Sequence, residues 1–114
     1  MEVKTQSSLF GSGTRTRVLL VLQLLGESYS RELARTLDLS VSVVQKALRS
    51  LERDGLVAGR ITGTTKLYQL NPRFFASAEL GQLLRKLAEP DLELKRRLAA
   101  LRKRPRRSGK PLWP

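Results

Sequence analysis

The stretch Ser40-Val41-Ser42-Val43-Val44-Gln45-Lys46-Ala47-Leu48-Arg49-Ser50-Leu51-Glu52-Arg53-Asp54-Gly55 decides how this chain is read. Ser40 is placed to cap a helix, because its hydroxyl can accept one of the unpaired amide protons of a first turn. Val44, Leu48 and Leu51 recur at spacings of four and three, so they share one apolar face. The opposite face offers Ser42, Gln45, Lys46 and Arg49: a hydroxyl, an amide and two cations. Gly55 stops the helix. Such a helix has the shape and donors to enter a major groove. An ordinary surface helix with a solvated polar face has the same pattern, so the flanking sequence must separate the two.

On the N-terminal side, Arg31 to Leu37 reads as one to two helical turns with Leu33, Ala34 and Leu37 inward. Asp38-Leu39-Ser40 is a tight corner plugged by Leu39, and Ser28-Tyr29-Ser30 fits a very short strand. A short helix, a three-residue corner and a longer helix with a polar face form the helix-turn-helix pattern. On the C-terminal side, residues 56–61 and 66–70 read as strands joined by a turn at Thr62-Gly63-Thr64-Thr65, and Asn71-Pro72 ends the second. The hairpin tip carries Arg60, Thr62, Thr64, Thr65 and Lys66, types that reach phosphates or a minor groove without steric conflict.

Further out, Arg15 to Leu25 is a helix apolar nearly all round, with Val18, Leu19, Leu20, Val21, Leu22, Leu24 and Leu25 interrupted by Gln23. Ser12 or Thr14 caps it, and Leu9-Phe10 is an apolar plug before it. The helix is either the centre of a monomer core or part of a subunit interface. The small size of the domain favours the interface. Arg15 and Arg17 at its start are expected to face solvent or phosphate. Phe74 and Phe75 are expected as core aromatics closing the hairpin. Ser77 caps a helix to about Ala88 with a Leu80, Leu83, Leu84, Leu87 stripe. Asp91 caps a last helix with Leu92, Leu94, Leu98 and Leu101.

The expected organisation is a flexible arm over 1–8, the main domain over 9–75, dimerisation helices over 76–101 and a basic tail over 102–114. The chain has 114 residues and a net charge of +12. Residues 1–94 hold 13 basic and 10 acidic side chains, whereas residues 95–114 hold 9 basic and none acidic. The tail residues Arg102, Lys103, Arg104, Arg106, Arg107 and Lys110 therefore read as an electrostatic clamp on polyanions, or else as a solubilising segment. Leu112-Trp113-Pro114 is an apolar ending, and Trp113 is the candidate contact for a protein partner. Without cysteine or histidine, disulfides, thiolate nucleophiles, imidazole bases and the common zinc ligands are excluded. The ten acids show no metal-loop spacing, and no catalytic constellation is recognisable. The expectation is a non-enzyme without cofactor or metal. It has no secretory signal or membrane span, and works in the cytoplasm at the nucleoid.

Between Leu9 and Leu70 the sequence resembles the winged helix-turn-helix transcriptional regulators of the ArsR/MarR type. The residues that carry the likeness are Leu9-Phe10-Gly11-Ser12 with Thr14-Arg15 and Val18-Leu19, then Tyr29-Ser30-Arg31-Glu32-Leu33-Ala34. They continue with Leu39-Ser40, Val44 with Leu48, Leu51-Glu52-Arg53-Asp54-Gly55-Leu56-Val57, and the hairpin ending in Tyr68-Gln69-Leu70-Asn71-Pro72. It is most similar to a subgroup found attached or adjacent to small nucleotidyltransferase domains, a setting that implies autoregulation or a toxin–antitoxin pair.

The resemblance implies a mostly α (α+β) fold, a two-stranded wing and extra C-terminal helices. It also implies a homodimer through the first and last helices, which places Leu19, Leu22, Leu94, Leu98 and Leu101 at the interface. Position by position it carries base contacts onto Val41, Ser42, Val43, Gln45, Lys46 and Arg49, and wing contacts onto Arg60, Thr64, Thr65 and Lys66. Arg15, Arg17, Arg31 and Arg35 are the remaining backbone candidates. Metal-sensing members use cysteine or histidine ligands, which this chain lacks, and the basic tail departs from the pattern. The expected function is a sequence-specific double-stranded-DNA-binding regulator, a repressor. A non-specific architectural nucleic-acid-binding protein and a protein-interaction scaffold are the alternatives.

Overall fold

The structure is a computed structural model that describes residues 10–103. Five helices and three strands follow in the order α1 (Gly13–Leu25), β1 (Glu27–Tyr29), α2 (Ser30–Leu37), α3 (Val41–Arg53), β2 (Val57–Thr62), β3 (Thr65–Leu70), α4 (Ser77–Ala88) and α5 (Leu92–Lys103). The fold is thus mostly α with one small sheet. The expected elements are all present, with boundaries shifted by one or two residues.

Local chemistry explains the helix boundaries. Ser12 accepts from the Arg15 amide to cap α1, and Ser40 accepts from the Val43 amide to cap α3, at 3.2 Å in each case. Asp91 does the same for α5 through the Leu94 amide at 3.1 Å. Ser77 differs from expectation. It is the first residue of α4, whose start at Ala76 has no side-chain cap, and its hydroxyl donates to the Pro72 carbonyl. The α2–α3 corner closes with the Leu39 amide donating to the Ala34 carbonyl at 2.9 Å while Asp38 sits in the left-handed region at φ 60°. That pairing satisfies carbonyls the helix end would leave open. The same bond recurs after α3, from the Leu56 amide to the Leu51 carbonyl at 3.0 Å.

The sheet is antiparallel with order β1-β3-β2. Thr62 pairs with Thr65, so Gly63 and Thr64 form a two-residue turn. Gly63 holds the positive φ, 66°, that the first central position of such a turn demands. The wing hairpin is therefore widened at its base into three strands, because Glu27, Ser28 and Tyr29 pair with Gln69, Tyr68 and Leu67.

Helix α1 lies at the centre. Val18 through Leu22 are completely buried. Leu33, Leu37, Val44, Leu48 and Leu51 from α2 and α3, Val57 and Tyr68 from the sheet, Leu80, Leu84 and Ala88 from α4, and Leu94 and Leu98 from α5 share its core. This corrects the subunit-interface expectation. Leu19, Leu22, Leu94 and Leu98 are buried within their own chain and have no surface left for a partner. The reason is that α4 packs against α1 and α5 against α2, enclosing a helix that the smaller unit alone would leave half bare. The side chain of Leu101 lies outside the described residues, as do the 1–8 arm, Leu9, the side chains of Arg102 and Lys103, and all of Arg104, Arg106, Arg107, Lys110 and Trp113.

Phe74 packs partly against the core, but Phe75 is 94% exposed, contrary to expectation. Its ring sits tilted against that of Phe74, with centroids 5.0 Å apart. Among the described residues no helix is long and apolar enough to cross a membrane, and no group of three or more Asp and Glu could hold a metal ion.

Candidate nucleic-acid interface

Helix α3 is anchored along Val44, Ala47, Leu48 and Leu51, all buried. At 100° per residue that fixes the outward arc, and Ser42, Val43, Gln45, Lys46 and Arg49 are all exposed on it. Val41 is the exception among the expected base-facing positions. It is half-buried and packs against the core, because it lies three residues before Val44 and seven before Leu48 on the inner side. Arg53 was not among the expected contacts and belongs to this arc. It is exposed, four residues beyond Arg49. The four-residue spacing of Arg49 and Arg53 is the sequence signal for this placement. Among the described residues none of Lys46, Arg49 and Arg53 has an ion-pair partner within 4.0 Å.

The acids near the end of α3 are occupied. Glu52 accepts from Lys66 of β3 at 3.1 Å, and Asp54 accepts from Arg15 of α1 at 2.8 Å. Arg15 also donates from Nε to the Phe10 carbonyl and from Nη1 to the Ser50 hydroxyl. Its side chain is only 16% exposed. Arg15 therefore corrects another expectation. It is an internal staple between α1 and the C-terminal end of α3, with its Nε and Nη1 donors already engaged. Arg17 is half-buried, and Arg31 and Arg35 of α2 are exposed.

The wing cations are likewise engaged. Arg60 reaches across the sheet to Glu27 of β1 at 3.2 Å. Lys66 lies 5.3 Å from the centre of the Tyr68 ring on its way to Glu52. The Glu52 carboxylate that accepts its hydrogen bond holds the Lys66 ammonium above the ordinary lysine range. The Lys66 chain passes close over Gly59, where a Cβ would lie 2.5 Å from Lys66 Cε and the flexible lysine end would have to shift. Thr64 and Thr65 at the tip are exposed, as is Ile61. Asn71 ties the wing root to the end of α3, donating from its side-chain amide to the Gly55 carbonyl and from its backbone amide to the Leu56 carbonyl, both at 2.9 Å.

Helix, corner, outward-facing helix and hairpin follow one another in the chain, and residues 13–58 match the family model described as winged helix-turn-helix DNA-binding. The fold is a winged helix-turn-helix. The adhesin competence repressor AdcR from Streptococcus pyogenes has a similar structure, with a TM-score of 0.61 at 18% identity over 84% of this chain and 71% of that one. A point mutant of ZitR from Lactococcus lactis is similar with a TM-score of 0.60 at 20% identity over 82% of this chain. This chain spans 64% of that protein's length. Comparison with curated proteins gave no match. In the winged helix-turn-helix, α2 and α3 are the paired helices and β2–β3 is the wing. Most of β2, all of β3 and the helices α4 and α5 lie beyond the matched segment.

Proposed function

We propose that this protein is a sequence-specific double-stranded-DNA-binding transcriptional regulator, acting as a homodimeric repressor in the cytoplasm at the nucleoid and without catalysis. One observation carries the reading: α3 is clamped by a fully buried stripe while its outward arc presents a hydroxyl, an amide and three cations with no ion-pair partner among the described residues. In a major groove, Gln45 has the donor and acceptor for adenine, and Lys46 and Arg49 can serve guanine or phosphate. Ser42 and the exposed Val43 complete the reading surface, and Arg53, Arg31 and Arg35 serve the backbone. Thr64 and Thr65 bring the wing tip to phosphates or a minor groove. For the dimer, the exposed apolar side chains Phe75, Leu83 and Leu92 replace the enclosed leucines as the available surface.

The test is selection of bound sequences from random duplex DNA at fixed physiological salt, with wild type, Gln45→Ala and Arg49→Ala side by side. The expected result is a two-fold-related motif with half-sites about one helical turn apart, altered at single positions by each substitution. The excess of cations after residue 94 favours a second reading, non-specific polyanion binding. Binding without an enriched motif, lost on removing residues 102–114, would establish that reading instead.

A further inference from the structure

The cations of the candidate interface fall into two sets. Lys46, Arg49 and Arg53 on α3 have no carboxylate within ion-pair distance among the described residues. Both wing cations are held by an acid from outside the β2–β3 hairpin: Arg60 by Glu27 of β1 at 3.2 Å, and Lys66 by Glu52 of α3 at 3.1 Å. Different elements supply the two acids.

We propose that Glu27 and Glu52 are specificity-determining residues that mask the wing cations from generic phosphate. Non-specific affinity is almost wholly cation–phosphate contact with counterion release, whereas specific affinity adds base contacts. Neutralising two wing cations lowers the background on any duplex and leaves the α3 contacts untouched. The ratio of specific to non-specific binding, which governs occupancy against a genome of competing sites, rises accordingly. The wing then contributes position through Thr64 and Thr65 more than charge. This inference rests on the DNA-binding reading above. Its test, however, uses mixed-sequence duplex and needs no motif.

The experiment measures affinity of the full-length chain for a mixed-sequence duplex across a salt series. The proteins are wild type, Glu27→Gln, Glu52→Gln, and Glu79→Gln as a charge-matched control outside helix α3 and the wing. Each unmasked cation is expected to steepen the salt slope by about 0.9, equivalent to roughly fivefold tighter binding at physiological ionic strength. Glu79→Gln is expected to change neither. The variant Glu52→Gln with Lys66→Met is expected to return to the slope of Lys66→Met alone, because the gain must pass through Lys66. A gain that persists without Lys66 would show simple removal of a repulsive charge, and would overturn the proposal. So would unchanged or weaker binding by both single variants, which would make the pairs fixtures of wing geometry. Melting curves confirm that each variant is folded; these exposed pairs contribute little to stability. Failure of the random-sequence selection with slopes that steepen as expected would reject sequence-specific reading and keep the masking. A clear motif with unchanged slopes would do the reverse.

Discussion

Replacing Arg15 by lysine and by alanine separates two roles for a residue that sequence reading places on the DNA backbone. In the folded chain its guanidinium serves the Phe10 carbonyl, the Ser50 hydroxyl and the Asp54 carboxylate together. Hydrogen bonds from a charged donor contribute about 1.5–3 kcal/mol each when the acceptor is left unpaired on their loss. Asp54 is 51% exposed, so water replaces the guanidinium there and the ion pair contributes no more than about 1 kcal/mol. Phe10 and Ser50 are both half-buried and are compensated less well. The expected loss for Arg15→Ala is about 2–3 kcal/mol. At about 4 °C per kcal/mol for a chain of this size, the melting temperature falls by roughly 8–12 °C. An ammonium lacks the fork that spans three acceptors, so Arg15→Lys is expected to lose more than half as much. Thermal unfolding followed by circular dichroism measures both. The salt slope of DNA binding is expected to match wild type in both variants. A stable Arg15→Ala protein with a slope shallower by about 0.9 would refute the staple and restore the phosphate contact.

Two further outcomes are expected. Thr36 is buried and its hydroxyl oxygen has no hydrogen-bond partner among the described residues. Thr36→Val exchanges that hydroxyl for a methyl of similar size, so stability is expected to stay level or rise by up to about 1 kcal/mol, and a lower melting temperature would reveal a partner for the hydroxyl. The Lys66–Glu52 pair raises the folded-state pKa of Lys66 above its unfolded value near 10.5. Its stabilisation is therefore fully present below that pH and disappears as pH rises through the folded pKa. The gap in melting temperature between wild type and Glu52→Gln is expected to be small, constant from neutral pH to about 10, and to close above it; a gap that closes on the acid side of that value would assign it to another group.

Much of this architecture is legible in the sequence because local rules dictate it. Ser40 followed by Val44, Leu48 and Leu51 specifies both the start of α3 and its inward face, and the inward face leaves Ser42, Gln45, Lys46 and Arg49 outside. The two-residue turn at Gly63 is specified by the residue type that takes a positive φ most readily. Whatever depends on distant partners is not legible. Arg15 looks like a spare cation at a helix start until Asp54, far along the chain, is brought beside it. Lys66 looks like a wing contact until Glu52 faces it. Val41 precedes Val44 by three residues and Leu48 by seven, so helix geometry turns it inward although the family likeness carries a groove contact onto it. Phe75 looks like a core residue by type, but its neighbour Phe74 takes the inward position. The burial of α1 depends on how α4 closes over it, which no local pattern expresses.

That closure imposes an order on biosynthesis. The Val18–Leu22 segment leaves the ribosome about sixty residues ahead of Leu80 and Leu84, the α4 residues that share its core. At about 5–20 residues per second the interval is roughly 3–12 s. Throughout it, the face of that aliphatic run that α4 covers has no permanent shelter, although α2, α3 and the sheet can already close over the rest. A shortened product ending after the wing would keep that one face bare and invite association with its neighbours.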